Sequence, residues 1–308
     1  MKKILIFSFI LLSANLAADV VKIENFDYPY NTDLLEHGWT TSFGTATSSG
    51  IIVSSPLEFN YYEGSAVGGS ALINCVSHSE QAHLHFDEVT DGSLYVAFLF
   101  QPTVNYATGY FICLRDEFKI GSYAQEYNMN ARAFISEDYH IGLTFANNQN
   151  RQFADRELSA GQVYLCVLKY EIVEGSNNDR VSLFLFDNSQ YADMLSEPAQ
   201  PLIGPLSDSA KQDIYPANLQ LRGFDSDSWL FVDGIRVATT WQEAVALHNL
   251  PVGTALTAHA LSGDVKVFTA SGLLLFSTSA DMLSSQLSQL PHGMYLLLSD
   301  DAKKIVLK

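Results

Sequence analysis

The sequence predicts an all-β protein, and three observations carry the prediction. Val163 to Val173 is almost continuously apolar, as a strand buried on both faces of a sandwich would be. After the turn-rich stretch Glu174 to Arg180, Val181, Leu183 and Leu185 alternate with Ser182, Phe184 and Phe186, so a second strand returns at period two. No helical period beyond the N-terminal segment is sustained for more than about two turns. Together these describe a long hairpin at the centre of a β domain.

Taken in order, Lys2 and Lys3 precede the apolar run Ile4 to Leu12, and small residues follow at Ala14, Ala17 and Ala18. That is the order of a secretory signal peptide, expected over residues 1–18, with an apolar core too short to span a bilayer. Val20 to Phe26 reads as the first strand and Asp27 to Asn31 breaks it; Trp39 to Thr47, rich in Thr, Ser and Gly, reads as an edge or loop. Ser93 to Gln101, closed by Pro102, is a strand, and Gly109 to Arg115, Ala131 to Ile135 and Tyr139 to Phe145 follow. Tyr191 to Pro216 holds four of the nine prolines and little periodicity. Its length suits a crossover between sheets or a binding loop. Leu219 to Gly223 and Trp229 to Val237 resume the strands. Thr240 and Glu243 have capping-box spacing, so a short helix is expected to close a domain spanning 19–246. Residues 247–253 read as a linker. Short strands spaced by turns over 254–308 predict a small separate β-sandwich.

Composition narrows the function classes. The charged fraction of 17% and apolar fraction of 47% are those of a globular chain. The formal charge of −17 repels phosphate backbones, and no Lys/Arg cluster interrupts it along the sequence, so nucleic acid is not an expected partner. The odd number of cysteines leaves at least one thiol free; Cys113 and Cys166 lie in strand-like apolar runs and are expected as buried thiols, with a structural bridge as the alternative.

Two resemblances add to this reading. LSAGQVYLCVLKYEIVEGSNNDRVSLFLF and DSWLFVDGIRVATTWQEAV, with SLYVAFLFQP and TGYFICLRD upstream, resemble concanavalin A-like or laminin-G-like domains of secreted proteins from Bacteroidota-type bacteria. The resemblance covers roughly Glu24 to Val245 and implies a jelly-roll sandwich of two antiparallel sheets. The tail, with Gly293 to Tyr295 and the Lys-rich end Lys303 to Lys308, resembles the type IX secretion sorting domain, a small immunoglobulin-like sandwich. It lacks the Pro-Asn-Pro-type opening common in that family, offering only Asn249 to Pro251. The resemblance implies type IX secretion machinery as a partner, and a protein secreted or displayed on the cell surface.

For chemistry, the sequence has no E-x-D-x(x)-E run that would converge three carboxylates on one strand face. Catalysis would need residues from distant strands. His83 and His85 would share a strand face, with His78 nearby, but an H-x-H pair without a third ligand is weak evidence for zinc. Asp225, Asp227 and Asp233 offer oxygen ligands of the kind calcium takes, and a solvated acidic turn is the plainer expectation. Trp39, Tyr61, Tyr62 and Tyr106, with Asn147 and Asn148, are candidates for stacking on sugar rings and binding hydroxyl groups; the same aromatics could close the core. The expectation is a non-catalytic module that binds a glycan or a surface protein. A carbohydrate-active enzyme with a dispersed site and a structural surface protein are the alternatives.

Overall fold

The computed structural model describes residues 20–41, 48–74, 81–103, 109–117, 129–146, 148–223, 229–248, 250, 263–269, 273–287, 289–290, 294–299 and 303–307. The signal-peptide expectation lies outside them.

The early strands are β1 (Val20–Glu24), β2 (Ile51–Ser54), β3 (Ser70–Asn74), β4 (Gln81–His85) and β5 (Ser93–Pro102). Then come β6 (Gly109–Arg115), β7 (Met129–Ile135), β8 (His140–Thr144), β9 (Gln152–Glu157) and β10 (Tyr164–Glu171). The sandwich is completed by β11 (Arg180–Phe186), β12 (Ile203–Leu206), β13 (Asn218–Arg222) and β14 (Trp229–Ala238). One sheet runs β12-β11-β10-β5-β14-β3-β2, with β1 also on β14; the other runs β4-β13-β6-β7-β8-β9. All their pairings are antiparallel. The chain crosses repeatedly between the sheets, giving an all-β jelly-roll sandwich.

The main core lies between the sheets. Phe98 and Phe100 of β5, Phe111 of β6, Ile135 of β7, Cys166 and Leu168 of β10 and Leu221 of β13 meet there. The eight-stranded sheet is buried on its other face as well. Leu165 and Val167 alternate with the inward residues of β10 and pack with Phe184, Phe186, Tyr62 and Trp241. This second layer explains the continuous apolar run over β10 that alternation alone would not require. It is covered partly by α1 (Tyr191–Met194) and α2 (Trp241–Ala244). The Thr240 hydroxyl accepts from the Glu243 N–H at the start of α2, the cap expected from the spacing.

Gly234 sits at a register shift in β14 with φ +54, and a Cβ there would lie 2.4 Å from the Gly64 carbonyl oxygen. The Tyr62 hydroxyl donates to the Gly234 carbonyl at 2.7 Å. The sandwich reaches beyond the expected boundary at Ala246. Leu247 bridges to Tyr62, and the His248 N–H donates to the Tyr61 carbonyl.

Towards the C-terminus, β15 (Asp264–Thr269), β16 (Leu274–Ser279), β17 (Met294–Leu298) and β18 (Lys303–Leu307) form one sheet in the order β16-β15-β17-β18. Here α3 (Ala280–Leu287) places Leu283 and Leu287, four residues apart, against Val265, Val267 and Leu297. Among the described residues a helix, and not a second sheet, covers this unit's apolar face. Its two turns are too short for a sustained helical period to reveal.

Candidate functional site

The tip of the β10–β11 hairpin and the crossover before β13 enclose a cleft of about 370 Å³ at one end of the sandwich. The crossover joins the two sheets, as one of the two expectations had it, and it also lines this cleft. Hydrogen bonds from buried residues hold the cleft in shape. Tyr170 ends the core-facing row of β10, and its hydroxyl donates to the Asp179 carboxylate at 2.8 Å. The Tyr170 hydroxyl oxygen in turn accepts from the Ile214 N–H at 3.0 Å and from the Asn130 amide at 3.3 Å. The other Asp179 oxygen accepts from the Val173 N–H at 2.8 Å. From the crossover, Asp213 accepts from the N–H groups of Asn178 and Asp179, each at 3.1 Å. Asn177 adopts a left-handed conformation with φ 57, which Asn tolerates better than most residues, and so turns the tip.

Five carboxylates line the cleft: Glu88, Asp116, Glu117, Asp179 and Asp213. Burial raises the Asp179 pKa, opposed by the hydrogen bonds from Val173 and Tyr170 and aided by the charges of Asp213 and Glu171. Ile172, Val173 and Ile214 supply an apolar wall. Tyr215 stands at the rim, 52% exposed, beside the exposed amides of Gln212 and Asn177. A stacking ring next to hydrogen-bond acceptors and amides can hold a polyhydroxylated molecule. Among the described residues no group of three or more His, Cys, Asp or Glu side chains is arranged to hold a metal ion.

The residues singled out from sequence lie elsewhere. Trp39 is buried, stacked on Phe26 at 5.7 Å, with its indole N–H donating to Glu24 at 3.3 Å. Tyr62 is wholly buried in the layer over the eight-stranded sheet. Both are corrected from ligand platforms to core residues: a local reading of Thr/Ser/Gly-rich and turn-rich segments could not show what packs over them. Tyr61 is half-buried against Tyr191, with ring centroids 5.1 Å apart. Asn148 is exposed at the other sheet, accepting from Arg132 at 2.7 Å. Tyr106, Asn147, Asp225 and Asp227 lie outside the described residues.

Asp233 is corrected from a rim calcium ligand to a buried pin. It is fully buried, and its carboxylate accepts from Leu57 N–H at 2.7 Å and Gly234 N–H at 2.6 Å. Burial pushes it up to about 8 against those two hydrogen bonds, with Glu24 adding to the rise. Cys113 and Cys166 are buried free thiols; Cys75 lies outside the described residues.

His83 and His85 share a face of β4, but they have different surroundings. His83 is fully buried and paired in register with Gln220, while exposed His85 lies 2.6 Å from the Thr40 hydroxyl. Burial depresses His83 to about 3, helped by Arg115 and His85, so it is neutral at physiological pH.

No protein-family model matches the chain, and no curated protein does. Solved structures with similarity to it include a carbohydrate esterase of the Shiga toxin-encoding bacteriophage phi24B, at 11% identity and a TM-score of 0.41, covering 72% of this chain and 98% of that one. The basic winged bean lectin with Tn-antigen has 10% identity and a TM-score of 0.42, over 71% and 98% of the two chains. The Emp46p carbohydrate recognition domain has 9% identity and a TM-score of 0.39, over 70% and 95%.

Proposed function

We propose that this chain is an exported, non-catalytic glycan-binding module whose binding site is the cleft at the hairpin tip. The observation that carries the proposal is the pairing of a half-exposed aromatic ring, Tyr215, with carboxylates at Asp179 and Asp213 already fixed by hydrogen bonds from the loop backbone. Such a site needs little reordering when a sugar arrives, so less of the contact energy is lost to entropy. Two of its five carboxylates, Asp179 and Asp213, spend hydrogen bonds on the loop itself, which suits recognition better than proton transfer.

The signal-like N-terminus and the sorting-domain-like tail support an extracellular address reached through type IX secretion. Fractionating the producing cells, with mass measurement of the released form, tests that address: an unprocessed chain kept inside the cell contradicts it. The test of binding is a neutral-glycan array on the full chain, repeated with Tyr215→Ala. Selective binding that weakens about tenfold in the variant, as loss of one stacked ring predicts, supports the reading. Binding untouched by the variant moves the site away from the cleft.

A further inference from the structure

The outer face of the six-stranded sheet carries a feature that no contiguous stretch of sequence contains. Tyr110 of β6, Phe134 of β7, Gly142 of β8 and Phe153 of β9 lie in register, forming one row across four strands. Gly142 leaves room for the Phe153 ring, because a Cβ there would lie 2.6 Å from it. Three arginines lie over this row. The guanidinium carbons of Arg222 and Arg132 sit 4.5 and 5.2 Å from the Tyr110 ring centre, and that of Arg151 sits 5.6 and 5.8 Å from the rings of Phe134 and Phe153. Arg132 also donates to the Met129 carbonyl at 2.9 Å and to Asn148 at 2.7 Å.

Three of the other four arginines are used differently, and the fourth, Arg115, is buried and donates to Gln220 at 3.1 Å. Arg156, Arg180 and Arg236 pair with Asp187, Glu171 and Glu63, whereas Arg132 and Arg151 make no ion pair among the described residues. The sheet thus gathers guanidinium groups on one face of a chain whose net charge is −17. A ring beneath a guanidinium holds it flat and leaves its N–H edge to meet a planar or tetrahedral anion through paired hydrogen bonds.

We propose that this face is a second binding surface, taking an acidic polysaccharide whose sugars carry carboxylate or sulfate groups. The row crosses three strand intervals, about 14 Å, which suits a chain of charged units better than a single small anion. Nucleic acid fits less well. Tyr110 and Phe134 are buried beneath the arginines and offer no open ring for bases, and the net charge opposes a dense phosphate chain.

Calorimetric titration of the full chain tests this with three probes: an oligogalacturonate, a heparin oligosaccharide and an uncharged cello-oligosaccharide. Tighter binding of an acidic probe than of the neutral one is expected, weakening as salt rises from about 50 to about 300 mM. The oligogalacturonate and heparin arms separate carboxylate from sulfate as the recognised group. The double variant Arg132→Ala/Arg151→Ala should lose at least about tenfold in affinity for the acidic probe, as loss of two charge-assisted contacts predicts. Arg180→Ala, which removes an arginine paired with Glu171, should leave that affinity unchanged.

An unchanged melting curve establishes that the double variant is folded. Arg132→Lys/Arg151→Lys should recover part of the affinity, because charge returns without the planar fork. Tyr215→Ala should leave acidic binding intact, so failure of the cleft reading and failure of this one are separable. No binding of either acidic probe, neutral-probe binding that the double alanine variant weakens as much as acidic binding, tighter binding of a single-stranded oligothymidylate, or indifference to the double alanine variant would overturn the proposal.

Discussion

At the hairpin end of the sandwich, Asp179 and Asp213 are held by backbone N–H groups and a buried tyrosine hydroxyl. On the six-stranded face, Arg132, Arg151 and Arg222 are held by stacking on rings. The difference follows from where each charge stands. Carboxylates beside a tight turn find N–H donors that the turn leaves without strand partners, and satisfying them fixes the loop. Arginines standing on a strand face meet few free backbone groups, because the ladder uses most of them, so neighbouring rings do much of the positioning, with one backbone carbonyl, that of Met129, helping at Arg132. The cleft's charges therefore carry stability, while those of Arg132 and Arg151, which make no ion pair among the described residues, are open to a ligand at small cost to the fold.

The largest effect is expected from Asp179→Ala. It leaves the Val173 N–H and the Tyr170 hydroxyl without their acceptor in a buried setting, and should destabilise the chain by about 3 kcal/mol in a denaturant titration. A loss below about 0.5 kcal/mol would mean that the cleft's charges are as dispensable as those of the face.

Asp233 extends the contrast, since it too accepts from backbone N–H groups but is buried with no oppositely charged partner on it among the described residues. With its folded-state pKa pushed up to about 8, above that of the unfolded chain, the folded protein keeps the proton longer. Its contribution to stability is present in full below the ordinary carboxylate range and is lost as pH rises towards about 8. Melting temperatures of the parent should fall relative to those of Asp233→Asn between about pH 5 and about pH 8. Parallel curves would contradict this.

Gly142→Ala probes the arginine row. Its Cβ must displace the Phe153 ring, so about 1–2 kcal/mol of stability and a few-fold of acidic-probe affinity should be lost together. The smallest effect is expected from Arg180→Ala. Its ion pair with Glu171 joins two side chains that are 51% and 36% exposed, and after solvent screening the loss should be about 0.3 kcal/mol.

What the sequence made legible follows the same division. The hairpin was readable because its signals are contiguous: an apolar run, a turn-rich tip and a strand of period two. The crossover was readable as an irregular connection from its prolines and length, and its residues Gln212 to Tyr215 line the cleft. The arginine row was not readable. Arg132, Arg151 and Arg222 come from separate parts of the chain, and only the order β13-β6-β7-β8-β9 brings them together. The absence of a Lys/Arg cluster in sequence therefore did not mean the absence of one in space. Trp39 and Tyr62 failed for a related reason: an aromatic in an irregular segment looks alike whether solvent or another layer covers it. Tyr215 is the exposed aromatic of the cleft, and its place in the proline-bearing crossover just before Pro216 is the sequence clue to it.

The cleft is tested by an amide-shift map of the full chain during titration with a neutral oligosaccharide selected on the array. Shifts concentrated at Val173, Asn177, Asp179, Gln212 and Tyr215 are expected, with those of Arg132 and Arg151 unmoved. Shifts confined to the six-stranded face, or spread without a centre, would contradict the cleft as the glycan site.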